Sequence, residues 1–131
     1  MIYMLDTDMC IYIINTEKNE LKNRLNQHSN KLIISSITLA ELIFGVENSK
    51  RRDDNLSHVL DFVGNVSVVS FDDKAAMEYG IVRVLLQKAG TPIGPNDTLI
   101  AAHTLSCDAT LVSNNTKEFS RVERLRLENW L

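Results

Sequence analysis

The chain has 131 residues, 44% of them hydrophobic, and a formal net charge of −3. That length suits a single domain over residues 1–131, and the composition favours a packed core over disorder. No run reaches the roughly 18 uncharged apolar residues that a membrane span requires. The opening MIYMLDTDMC meets two acids without a basic lead-in, unlike a signal peptide, so a cytoplasmic protein is expected.

MIYML (1–5) is an apolar run that stops at Asp6, as a buried parallel strand does. Residues 9–15 and 18–27 read as helices. KLIIS (31–35) reads as a second buried strand, with Ser36 placed to cap the helix after it. In that helix Leu39, Leu42, Ile43 and Val46 fall at i, i+3, i+4 and i+7, a core-facing stripe. A further helix is expected over 53–64, with Leu56, Val59, Leu60 and Val63 on one face and Gly64 after it. VSVVSF (66–71) is β-branched and short, hence a strand. Asp72 or Asp73 can cap a long helix to about Ala89, and Asn96 or Asp97 opens the helix TLIAAHTLS. ATLVS (109–113) is the next strand, and LRLENW supplies a short edge strand. Strands alternating with helices predict a three-layer α/β/α sandwich on a parallel sheet of four to five strands. Ligands bind such sheets beyond the strands' carboxyl ends, near a topological switch point, where Asp6 and the segment after Ser113 fall.

The chemistry is signalled by lone acids in otherwise uncharged segments. Glu41 is the only charged residue from Leu32 to Val46, and Asp97 the only one from Ala89 to Cys107 with His103 neutral. Asp6 and Asp8 are the only ones from Met1 to Thr16. Acids in apolar surroundings cost several kcal/mol each unless compensated. Glu41 points away from its helix's apolar stripe, but Ile37, Ala40, Phe44 and Gly45 make the second face apolar too, which predicts burial. Asp97 taken singly is also an ordinary acid at a helix N-terminus, and Asp6 an ordinary turn residue. Three such acids without a basic counterpart point to a hard divalent cation, Mg2+ or Mn2+, held by oxygen. Cys10 and Cys107 are far apart and expected as buried free thiols. His28, His58 and His103 lack zinc-ligand spacing, and His103 is expected to pack rather than ligate. Basic residues bunch at Lys50–Arg52 and at Lys117, Arg121, Arg124 and Arg126. Either bunch could be solvated surface or a phosphate-tracking surface.

Four blocks then carry a resemblance over almost the whole chain: LDTDMCIYII, ISSITLAELIFGVENS, GTPIGPNDTLIAAHTLS and LVSNNTKEFSRVERLRLENW. In order, spacing and wording they resemble the PIN-domain toxins of the VapC type, endoribonucleases of bacterial toxin–antitoxin pairs. The resemblance implies metal-binding acids at Asp6, Glu41 and Asp97. Where many members carry a late acid this chain has Asn114 or Asn115, which leaves Glu118 as a further catalytic candidate. Asp8 replaces the usual asparagine and is expected to cap the first helix. Ser113 replaces a threonine and keeps the hydroxyl. Thr7, Arg83, Ser113, Asn115 and Lys117 are the expected substrate contacts. The resemblance further implies a VapB-type antitoxin, a homodimer with higher assembly on the antitoxin, no membrane, and RNA as substrate, with initiator tRNA cut in its anticodon stem-loop. Two other readings compete. LDTD also resembles the DxD opening of haloacid-dehalogenase phosphatases, although Cys10 departs from that pattern and no lysine motif accompanies it. A PIN-like fold that only binds antitoxin or RNA is the third.

Overall fold

The computed structural model describes residues 1–131, and its elements run β1 (Tyr3–Leu5), α1 (Thr7–Asn15), α2 (Asn19–Gln27), β2 (Leu32–Ser35), α3 (Ser36–Glu47), α4 (Arg52–Val63), β3 (Ser67–Val69), α5 (Asp73–Lys88), α6 (Pro95–Ser106), β4 (Thr110–Val112), α7 (Thr116–Phe119) and β5 (Arg126–Glu128). The five strands form one sheet in the order β3-β2-β1-β4-β5. Every pairing is parallel, with Leu5 opposite Val112 and Met4 opposite both Ile33 and Leu111.

Side chains alternate across a strand, and this sheet uses both faces. Leu5, Leu32, Ile34 and Val112 join Met9, Leu21, Leu42, Val46, Val59 and Trp130 in one core under α1 to α4. Met4 and Leu111 point the other way, to Val82, Leu86, Ile100 to Ala102, Phe119 and Val122 under α5, α6 and α7. Two apolar cores on one sheet make the three layers expected from the sequence, each buried large side chain contributing about 1.5–3 kcal/mol.

Several local expectations are corrected. Ser35, not Ser36, caps α3 by accepting from the Ile37 N–H. Ser36 instead accepts from the Phe71 N–H. Leu60 is exposed, and Phe62 packs toward the core in its place. Helix α6 begins at Pro95 with Gly94 as its cap, so Asp97 sits inside the first turn instead of opening it. Proline at a first helical position costs nothing, because its missing N–H would have had no partner. Of the alternatives at α5, Asp72 is the cap, accepting from Ala75 N–H. The expected capping by Asp8 falls to Asp6, for reasons given below. Both cysteines are free, Cys10 buried and Cys107 half-buried.

His103 is buried as expected. Its Nδ1 lies 2.7 Å from Ser35 Oγ, its ring meets Phe71 edge-on, and its Nε2 has no partner. Burial lowers its pKa, so it stays neutral and ties α6 to the start of α3. Ser35→Ala removes both a helix cap and the partner of a buried ring nitrogen. It should cost about 2–3 kcal/mol in denaturant unfolding, and a loss no larger than an ordinary surface substitution would show that this tie is idle.

Candidate active site

Beyond the carboxyl ends of β1 and β4 the sheet's winding reverses, the position at which such sheets form a ligand crevice, called the notch below. Asp6 is the first residue past β1 and Ser113 the first past β4. Asp6 N–H donates to Val112 O at 3.2 Å, and Ser113 N–H donates to Glu128 O at 3.0 Å. The turn from β1 into α1 folds the Asp6 side chain back, so that Oδ1 accepts from the Met9 N–H at 2.8 Å. This makes Asp6 the helix cap and leaves Asp8 exposed on the first turn. Oδ2 accepts from the Ser113 hydroxyl at 2.5 Å. Asp6 is only 2% exposed.

The other acids stand around it. Glu41, on α3, is half-buried rather than enclosed, because Ala40, Phe44 and Gly45 face solvent; the expectation from an all-round apolar helix was too strong. Its Oε1 accepts from the Thr7 hydroxyl at 2.6 Å, and Thr38 Oγ1 lies 3.1 Å from Thr7 Oγ1. Thr7 has one hydroxyl proton, and the carboxylate takes it, so Thr38 supplies the second bond. Thr38 is fully buried and was not singled out from the sequence; its only signal is a hydroxyl three residues before Glu41 in an apolar helix. Asp97 comes from the first turn of α6, close to Gly94, where an added Cβ would lie 3.7 Å from Asp97 Oδ2. Glu118 accepts from Asn115 Nδ2 at 3.0 Å, and Asn115 N–H donates to Ser113 Oγ at 2.9 Å. Hydrogen bonds thus run unbroken from Asp6 through Ser113 and Asn115 to Glu118.

Charge shows that these acids share one patch. Burial, then the negative charges of Asp6, Asp8, Glu118 and Glu41, push the Asp97 carboxyl up to about 6. Asp6 is pushed up to about 6 as well, mainly by burial, with its hydrogen bonds opposing and Asp8 and Glu41 adding repulsion. No lysine or arginine is among the groups acting on either. The acids are not drawn into a ready-made cluster of three ligands, as like charges without a counter-ion keep apart. The donor set, carboxylate oxygens around a partly dehydrated notch lacking a protein cation, fits a hard dication.

The expected substrate contacts divide. Ser113 is fully buried and Thr7 nearly so, and both hydroxyls are spent on acids. They orient carboxylates and do not face outward. Asn115 is half-buried against Glu118, whereas Lys117 and Arg83 are exposed. Of the basic bunches, Arg51, Arg52, Arg124 and Arg126 are paired with nearby carboxylates. A cavity of about 860 Å3 lies elsewhere, under α1, α2 and α4 where β2 and β3 begin. It holds none of these acids. Asp8 is exposed, poorly placed as the enclosed general acid of a DxD phosphatase.

A five-stranded parallel sheet between helices, with acids gathered at its switch point, matches a known domain class. The PIN domain family matches residues 3–125, and the chain belongs to it. Ribonuclease VapC2 of Rickettsia felis is 45% identical over 99% of this chain and 98% of its own. The tRNA(fMet)-specific endonuclease VapC of Salmonella typhimurium is 40% identical over 98% and 97%. Among solved structures, DNA-bound VapBC from Salmonella typhimurium superposes with TM-score 0.97 at 39% identity, covering 100% of this chain and 99% of that one. VapBC2 from Rickettsia felis bound to a promoter DNA fragment gives 0.95 at 42%, covering 100% of both chains.

The raised acids have a pH consequence. Asp6 has an ordinary pKa of 3.8 and a folded one of about 6. The folded protein therefore keeps a proton that the unfolded chain loses between those values. This contribution to stability is full below about pH 4 and is lost as pH rises through 6. In protein freed of metal, Asp6→Asn should therefore gain about 3 kcal/mol over wild type between pH 4 and pH 7. A difference that stays constant with pH in denaturant unfolding would contradict the assignment.

Proposed function

We propose that this chain is the toxin of a type II toxin–antitoxin pair, an endoribonuclease that hydrolyses RNA phosphodiesters with Mg2+ or Mn2+ held by Asp6, Glu41 and Asp97. The observation that carries the reading is the acidic patch itself: Asp6, Glu41 and Glu118 all bear on Asp97, with no lysine or arginine among the leading influences on it, in a member of a family whose relatives are named ribonucleases. A bound dication would polarise the phosphodiester and lower the pKa of an attacking water.

The chain's own residues supply the positioning. Ser113 and the Met9 N–H fix both oxygens of Asp6, leaving each with a free lone pair for a ligand. Thr7 turns Glu41 toward the notch, where it serves as ligand or proton acceptor. Asn115 steadies Glu118 for the same proton traffic. Lys117, exposed and next to Glu118 in the chain, is the cation we assign to RNA phosphates.

A VapB-type antitoxin is the expected partner. A cavity of about 260 Å3 beside Glu41, lined by Ile11, Ile14, Leu42, Val46 and Val59, supports an apolar antitoxin segment lying across the site. Exposed Met77, Ile81, Val84 and Leu85 along α5 support a homodimer and a higher assembly on the antitoxin. No helix is long and apolar enough to cross a membrane, consistent with work on cytoplasmic RNA. The tRNA(fMet)-specific relative supports initiator tRNA as the substrate; a cut in its anticodon stem-loop is our further expectation.

Asp6→Asn, Glu41→Gln and Asp97→Asn should each lower RNA cleavage by about 100-fold or more, and EDTA should abolish wild-type cleavage until Mg2+ or Mn2+ returns. Three variants cleaving at the wild-type rate would sink the site assignment. For the target, total tRNA incubated with the protein should yield ends mapping to the initiator anticodon stem-loop. Ends scattered over all tRNAs would refute that specificity while leaving the nuclease intact.

A further inference from the structure

Of the seven arginines, Arg24, Arg51, Arg52, Arg124 and Arg126 each have a carboxylate oxygen within 4.0 Å. Arg83 and Arg121 have none, although the chain carries 17 acids and a net charge of −3. Each is hydrogen-bonded to a residue that lines one and the same cavity. Arg83 Nη1 donates to Tyr79 Oη at 3.0 Å, with the guanidinium carbon 5.9 Å from the Tyr79 ring centroid. Arg121 Nη1 donates to the Pro92 carbonyl at 2.9 Å. Tyr79, Arg83 and Pro92 line a cavity of about 270 Å3 between α5 and the start of α6. Pro95 and Thr98, which bracket Asp97 on the first turn of α6, line it too. The cavity therefore adjoins the acidic notch.

We propose that this cavity is the subsite for the nucleotide adjoining the cleaved phosphate, with Arg83 and Arg121 on its phosphates and Tyr79 against its base. The inference rests on the ribonuclease reading and adds to it the part that holds substrate. A guanidinium carries a planar fork of donors that matches phosphate oxygens. Both arginines spend one recorded donor on a neutral oxygen, and the rest remain for an anion. Tyr79, half-buried against the core, adds an aromatic group to the cavity wall, the side-chain type that bases pack against without regard to sequence. The volume lies just under the roughly 300–1,000 Å3 of ordinary small-molecule pockets, a scale for one nucleotide unit, not for a duplex. The division also suits the chemistry. Acids alone repel RNA, and cations among them would compete with a dication; cations outside the acidic group attract the backbone without that competition.

Binding of a short fluorescein-labelled hairpin RNA, followed by anisotropy in the cleavage-arrested Asp97→Asn protein, tests this. Arg83→Gln and Arg121→Gln should each weaken binding severalfold and reduce the slope of log affinity against log salt by about 0.7. Tyr79→Ala should weaken it about fivefold or more. Melting temperatures should stay within a degree or two of the parent. Unchanged affinity and slope in both arginine variants overturns the subsite, as does a loss of binding that merely tracks a fall in melting temperature. The same holds if the variants release an acidic peptide such as poly-glutamate but not RNA, which marks a protein-docking face. Should the arginine variants lose RNA while protein with Asp97 intact cleaves no RNA with Mg2+ or Mn2+, the cavity stands as an RNA-binding site, while the ribonuclease reading falls and with it the place beside a cleaved phosphate.

Discussion

Asp6 leaves β1 where the sheet reverses its winding, 2% exposed, with one oxygen held by the Met9 N–H and the other by the Ser113 hydroxyl. A charge in that position costs several kcal/mol unless something compensates it. The two hydrogen bonds offset part of the cost, one coming from the first turn of α1 and the other from the residue just past β4, so the two sides of the switch point hold the carboxylate between them. The remainder is left standing, and the residual cost is visible in a carboxyl raised to about 6. Asp97, Glu41, Asp8 and Glu118 deepen the negative potential. A fold that gathers charge this way and offers no cation of its own is prepared for one from outside.

The apolar architecture makes that possible. Two separate cores, one on each face of the sheet, carry the stability, so the strand ends are free to hold groups that lower it. Helices α3 and α6 deliver Glu41 and Asp97 from opposite layers, and the buried His103–Ser35 contact ties those helices together. Hydroxyls do the local aiming. Thr7, Thr38 and Ser113 are buried or nearly so; Thr7 and Ser113 each donate to an acid, and Thr38 braces the Thr7 hydroxyl. Of the arginines, five have a carboxylate oxygen within 4.0 Å, and Arg83 and Arg121 are the two left uncommitted.

Much of this was legible from residue order. The sheet followed from short apolar runs between helical periods, and the acids stood out because their segments hold no other charge. Errors came where neighbours along the chain were a poor guide to neighbours in space. Glu41 was expected to be enclosed because its helix is apolar on two faces, yet Phe44 on the second face is 70% exposed. Asp8 looked like a cap by residue type, but Asp6 reaches Met9 N–H first because the chain leaves the strand in extended geometry there. Ser113 looked like a substrate contact until its hydroxyl was found turned inward.

Residue order alone determined the layers, the strands and the identity of the acids, because periodicity and the cost of isolated charge are properties of short segments. Only the tertiary structure decided which acids share a field, which hydroxyl aims which carboxylate, and which arginines lack a counter-ion. Those relations join residues 30 to more than 100 positions apart, such as Thr7 with Glu41 and Asp6 with Ser113. Electrostatic energy and hydrogen bonding depend on distance through space, and no local pattern encodes that distance until the sheet has closed.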